Sequence, residues 1–303
     1  MGIPQSGIIV PLVTPFDSRY EVDLDGLQAN VESLLATGVT GLLCLATTGE
    51  AQSLNLVERK AVVDATLEAA RDRLPVIVGV GHTDIRETYE LAEYAARRGA
   101  VGLFAITPYF YRYTPEQHAA YFQKLSSRTE LPVMAYNSTY TGTPLTPDLI
   151  ERLVDSSAIA ALKEGNQLQV GEVARRVGGR IGVFCARDVY LLETLAAGGH
   201  GSIAFAANVL PEAMVEIVRA WQAGAVDRAR VLQQAMNPLI NQLVAFTYPS
   251  AIKAATEIVG RAAGPTREPI PALDAQARRS LEATIAAVRG ELERIAAGAA
   301  GVS

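Results

Sequence analysis

Eight short apolar runs, evenly spaced and separated by amphipathic segments, restrict what this sequence can fold into more than any other feature. They begin at Gly7 (GIIVPLVTPF), Gly41 (GLLCLAT), Pro75 (PVIVGVG), Gly102 (GLFAIT), Pro132 (PVMAYN), Ile159 (IAALKE), Arg180 (RIGVFCA) and Gly201 (GSIAFAA). Their apolar character is nearly continuous rather than alternating, which indicates strands buried on both faces. Helical patterns fill the gaps. Asn55 with Glu58 three residues on, and Thr114 with Pro115 and Gln117, are helix starts with a cap and its box partner. Thr146 and Pro211 mark two more starts, and Gly38, Gly99 and Gly198 mark helix ends. The spacing predicts an α/β chain: a (β/α)8 TIM barrel over residues 1–224. After Trp221 the strand signal stops. Stretches from Val226, Tyr248 and Ala275 read as three helices, a C-terminal helical appendage within residues 225–303. The tail GAAGVS is expected to fray.

Composition removes several classes of function. The 303 residues carry a net charge of -5 and show no basic face or arm, so no nucleic-acid partner and no anionic membrane is expected. No apolar stretch approaches the roughly 20 residues that span a bilayer. The start MGIPQSGIIV has no basic n-region or cleavage site, so no signal peptide is expected. Cys44 and Cys185 fall within expected strands and read as buried thiols of a cytoplasmic protein. His82, His118 and His200 are isolated, and no metal site is expected.

Only four lysines occur, against 23 arginines. Lys60, Lys124 and Lys253 lie in helical stretches, but Lys163 ends the sixth apolar run. Active sites of such barrels lie at the C-terminal ends of the strands. An amine there faces low-dielectric walls, which lower its pKa from about 10.4. A neutral amine attacks carbonyl carbon to form a Schiff base. The plainer alternative is a lysine paired with Glu164 or reaching the rim. Other strand ends carry further candidates. Thr47, Thr48 and Gly49 offer hydroxyls and backbone donors that suit a carboxylate, or form an ordinary turn. Tyr136 can pass protons or fill the core. The stretch TPYFYRY, with Tyr109, Phe110, Tyr111 and Tyr113, is a pocket wall or an oligomer contact. Arg187 and Asp188 come to the rim, facing either pocket or solvent.

The segments VTPF, ATTGEAQSLN, ITPYF, AYN, ALKE and GGHGSIAFAANVLP follow one another as in a known family. From about Gly7 to the C-terminal helices the chain resembles the dihydrodipicolinate synthase and N-acetylneuraminate lyase family. The resemblance implies a barrel with a C-terminal helical region, assembled as a homotetramer of two tight dimers. It implies a small-molecule substrate, pyruvate or another 2-oxo acid, held as a Schiff base without a metal or organic cofactor. By matched position, Lys163 is the Schiff-base lysine and Tyr136 the proton shuttle. Thr47 links that tyrosine to a second one. Thr48 holds the pyruvate carboxylate, and Ile203 lines the pocket beneath the substrate. Arginine cannot replace Lys163, because its guanidinium stays protonated.

The chain departs from the synthase pattern in three places. Phe110 stands where synthases carry the second relay tyrosine, and Tyr111 is the nearest replacement. Tyr140 stands near the place of an arginine that binds the carboxylate of the aldehyde substrate. Losing that contact costs about 1.5–3 kcal/mol. CARD replaces a small turn, so that Arg187 can supply the missing charge, and Asp188 matches an aspartate that holds substrate hydroxyls in lyases. These differences favour a Schiff-base lyase, aldolase or dehydratase acting on pyruvate or a 2-keto-3-deoxy-type acid. The alternatives are a 4-hydroxy-tetrahydrodipicolinate synthase and a non-catalytic binder of 2-oxo acids.

Overall fold

Strands that are apolar on both faces must be covered on both faces, and a closed barrel wrapped in helices does this. The protein's structure, a computed structural model, describes residues 2–139 and 142–300. Its strands are β1 (Gly7–Pro11), β2 (Gly41–Cys44), β3 (Val76–Gly79), β4 (Gly102–Ile106), β5 (Val133–Asn137), β6 (Ala161–Glu164), β7 (Gly182–Cys185) and β8 (Gly201–Ile203). They close in chain order into one barrel, and every pairing is parallel. All eight expected strands are present. Side chains alternate across each strand. Ile9, Leu43, Ile77, Met134 and Phe184 fill the interior, while neighbours such as Val10, Leu42 and Val183 pack outward under the helices. Closure between β8 and β1 depends on glycine. Gly201 has φ 154°, and a Cβ there would lie 1.9 Å from the carbonyl oxygen of Gly7.

The helices are α1 (Leu24–Leu34), α2 (Leu56–Ala70), α3 (Ile85–Arg98), α4 (Pro115–Ser126), α5 (Pro147–Asp155), α6 (Val170–Val177), α7 (Leu191–Ala196) and α8 (Pro211–Gln222). α2 and α4 open with the expected capping boxes, Asn55 with Glu58 and Thr114 with Gln117. Thr146 caps α5, its hydroxyl accepting from the N–H of Leu149. Gly99 ends α3 in the left-handed conformation, φ 90°.

Three further helices follow: α9 (Val226–Leu243), α10 (Ser250–Ile258) and α11 (Ala275–Ala300). α9 packs on α8, and α11 on α9 and α10. The tail expected to fray is helical as far as Ala300; residues 301–303 lie outside the described ones. No described helix is long and apolar enough to cross a membrane.

The C-terminal helices are tied to the barrel by a buried charge. Lys253 of α10 donates to Glu50 Oε1 at 3.0 Å and to the carbonyls of Thr14 and Pro265 at 3.0 and 2.6 Å. Glu50 Oε2 accepts from the N–H of Arg267 at 2.9 Å. Both side chains of the pair are 1% exposed. Such pairs are expensive to break, because the survivor keeps its desolvation cost. Lys253→Met is therefore expected to cost about 3–5 kcal/mol in urea unfolding. Adding Glu50→Gln should recover part of that loss; further destabilisation of equal size would show the pair to be uncoupled.

Candidate active site

The site grows from strand register. Lys163 of β6 pairs with Tyr136 of β5 and with Phe184 of β7, and Tyr136 pairs in turn with Ile106 of β4. The amine of Lys163 lies 4.6 Å from the centre of the Tyr136 ring and 5.7 Å from that of Phe104. The two rings stack at 5.5 Å. Lys163 is buried, and its pKa is pushed down to about 8. Burial is the main cause; the nearby acidic groups Asp188 and Cys185 pull in the opposite direction. About one amine in ten is then neutral at pH 7.

Glu164 is not the partner of this lysine. The two-residue period turns it outward, where it accepts from Asn137 at 3.0 Å, Gln169 at 2.9 Å and the N–H of Asn166 at 2.7 Å. Burial raises its pKa.

Lys163 opens into a cavity of about 440 Å³ formed at the C-terminal strand ends. Tyr136, Thr47 and Arg187 are on its wall with Lys163. Other sequence candidates are placed elsewhere. Thr48 is buried, and its hydroxyl lies 2.6 Å from the phenol oxygen of Tyr248. Ile203 is fully buried in the interior layer, below the cavity rather than on its wall.

Asp188 is not at the rim. It is completely buried, accepting from the hydroxyl of Ser202 and the N–H of Ala206, both at 2.8 Å. Arg187 is extended, φ −127°, and the chain then coils into a short 3₁₀ turn from Asp188. Neighbouring side chains thus point in different directions, Arg187 to the cavity and Asp188 into the wall behind it. The Asp188 carboxylate is therefore not on the cavity wall. Its carboxyl is pushed up to about 7, chiefly by burial.

Tyr111 lies away from the cavity of its own chain. Phe110 takes a positive φ of 81°, which turns the chain away from the cavity after Tyr109. Phe110 and Tyr111 are 84% and 65% exposed, with rings in edge contact at 5.1 Å. Within this chain neither lines the cavity, whereas Tyr109 does. Tyr140 lies outside the described residues.

Several wall residues were not singled out in the sequence. Gln52, Ser138, Thr139 and Phe205 come from the loops beyond the strands, and Val244, Phe246 and Tyr248 from the segment between α9 and α10. The C-terminal region is thus part of the cavity wall and not only an appendage. The cluster AFTY at the break between two helical patterns was the available signal. Cys44 and Cys185 are free, buried thiols whose pKa values burial pushes up to about 12.

Comparison with known proteins agrees with this geometry. Residues 4–288 match the model of the Dihydrodipicolinate synthetase family. The chain is 34% identical over 300 residues to the 4-hydroxy-tetrahydrodipicolinate synthase of Methanopyrus kandleri, covering 97% of this chain and 98% of that one. A prophage protein of the dihydrodipicolinic acid synthase family from E. coli K12, solved in complex with pyruvate, is 31% identical with a TM-score of 0.90. That match covers 94% of this chain and 98% of the other. A monomeric dihydrodipicolinate synthase variant is 29% identical with a TM-score of 0.89, covering 93% and 96%. Together with the barrel and the lysine at the end of its sixth strand, these matches show that the chain belongs to the Dihydrodipicolinate synthetase family.

Proposed function

We propose that this chain is a Schiff-base lyase or aldolase acting on pyruvate or a 2-oxo acid that yields it. The observation that carries this reading is the buried amine of Lys163, with its lowered pKa, beside Tyr136 on a cavity wall. The pyruvate complex of the E. coli relative supports it. Neutral Lys163 attacks the 2-oxo carbon, and loss of water gives an imine. The imine withdraws electrons from the adjacent carbon, so this step needs no metal. Tyr136 passes protons to and from the reacting centre, and Thr47 stands on the same wall. Hydrolysis frees the lysine.

A second reading, 4-hydroxy-tetrahydrodipicolinate synthase, is favoured by the name of the Methanopyrus relative and by Arg187, a cation on the wall that suits a substrate carboxylate. Rescue of a lysine auxotroph separates the two readings. Failure to rescue, with pyruvate still bound covalently, leaves the broader one.

The same proposal includes a homotetramer in the cytoplasm. Exposed Phe110 and Tyr111, held out on strained backbone, support an interface at that loop, and the buried free thiols support a reducing compartment. The molecular mass in solution tests the assembly.

Borohydride reduction in the presence of pyruvate is expected to leave a pyruvate-derived mass on the peptide containing Lys163, and none in Lys163→Ala. A folded wild-type protein without that adduct sinks the proposal. The initial rate of imine formation should rise with pH and level off above about 8, since the reactive form is the neutral amine. Asp188→Asn removes an anion that favours the ammonium. The midpoint of that profile should therefore move to lower pH; an unchanged or raised midpoint contradicts the coupling.

A further inference from the structure

A cavity of about 440 Å³ is of the size that holds a drug-sized ligand. A three-carbon acid joined to Lys163 occupies a minor part of it. The rest of the wall meets whatever reacts with that acid. Among the described residues no Asp or Glu lines it, so a cationic partner finds no counter-charge. Beyond Tyr136 and the small Ala186, six wall residues are aliphatic or aromatic: Ile106, Tyr109, Phe205, Val244, Phe246 and Tyr248.

Four of these six carry rings, and their orientation is fixed in part. Phe205 and Tyr248 meet edge to face, with centres 6.2 Å apart and planes at 90°. The phenol oxygen of Tyr248 is engaged with Thr48 at 2.6 Å, which holds the ring in place. Phe205 is buried, whereas Val244 and Phe246 are 37% and 38% exposed. Apolar side chains exposed at the mouth of a cavity gain by being covered. A flat ring covers them with favourable aromatic contacts. A polyhydroxylated chain would bring hydroxyls against Phe205, Val244 and Phe246, which offer them no partner. The polar groups Ser138, Thr139 and Arg187 suit the reacting end and any acidic substituent.

We infer that the second substrate is an aromatic aldehyde, its ring seated against Tyr109, Phe205, Phe246 and Tyr248. This rests on the Schiff-base reading. The pyruvate methyl group loses a proton and the imine becomes an enamine. The enamine carbon attacks the aldehyde carbon and forms a carbon–carbon bond. The carbonyl electron pair moves onto oxygen, which takes up a proton in place of the one lost. Water then hydrolyses the imine, releasing a 4-aryl-4-hydroxy-2-oxo acid and free Lys163. The reverse sequence splits that acid into pyruvate and the aldehyde.

The test uses the full-length protein with pyruvate and, separately, benzaldehyde, glyceraldehyde or aspartate semialdehyde, with borohydride trapping of pyruvate alone run alongside. The expected result is a trapped adduct and a kcat/KM for benzaldehyde at least about ten times that for either other aldehyde. Phe246→Ala, at a half-exposed position, should lower the benzaldehyde kcat/KM by about tenfold through KM, the loss expected for one aromatic contact. An adduct with faster turnover of glyceraldehyde or aspartate semialdehyde overturns the substrate class and leaves the Schiff-base reading standing. An adduct with no turnover of any aldehyde likewise overturns this inference. Absence of the adduct overturns the underlying reading and this inference with it.

Discussion

Barrel closure withdraws water from the inner faces of eight strands at once, and Lys163 stands on one of those faces. Its lowered pKa follows from that position more than from any single neighbour. An ammonium in this setting loses hydration that the aromatic rings of Tyr136 and Phe104 only partly replace. The same closure orders the partners. Parallel register sets Tyr136 and Lys163 side by side, and the strand period sends Glu164 to the opposite face, where amides from Asn137 and Gln169 satisfy it. A register shift of one residue would exchange the two faces and bury the carboxylate where the amine now is.

The turn after β2 is the second point on which the structure depends. It carries Thr47 on the cavity wall, Thr48 against Tyr248, and Glu50 in a buried pair with Lys253. Two of these contacts, from Thr48 and Glu50, connect the strand end to the C-terminal region. The segment between α9 and α10 thereby reaches the cavity mouth and supplies much of its apolar wall. Lys163 and the part of the wall formed by Val244, Phe246 and Tyr248 thus come from separate segments of the chain.

Much of this was legible in the sequence for a simple reason. Strand and helix periods, caps and chain order are local properties, and a repeated strand–helix unit leaves few topologies open. All eight strands, the capping boxes at Asn55 and Thr114, and the placement of Lys163 and Tyr136 at strand ends follow from that local pattern. Asp188 and Tyr111 show where it stops. One residue of difference in a turn decides whether a side chain enters a cavity or the wall behind it, and residue type does not reveal that rotation. Asp188 is buried beside an exposed arginine, and the positive φ of Phe110 takes Tyr111 outward.

By itself, then, the sequence determined the barrel, the order of its elements and the identity of the amine at the end of the sixth strand. Periodicity and composition encode burial directly. The tertiary structure alone decided that Val244, Phe246 and Tyr248 close the cavity, that Lys253 is a buried partner of Glu50, and that Thr48 meets Tyr248. These contacts join residues about two hundred positions apart. No local pattern specifies such distances; they are set only when the helices pack against the closed barrel and exclude water between them.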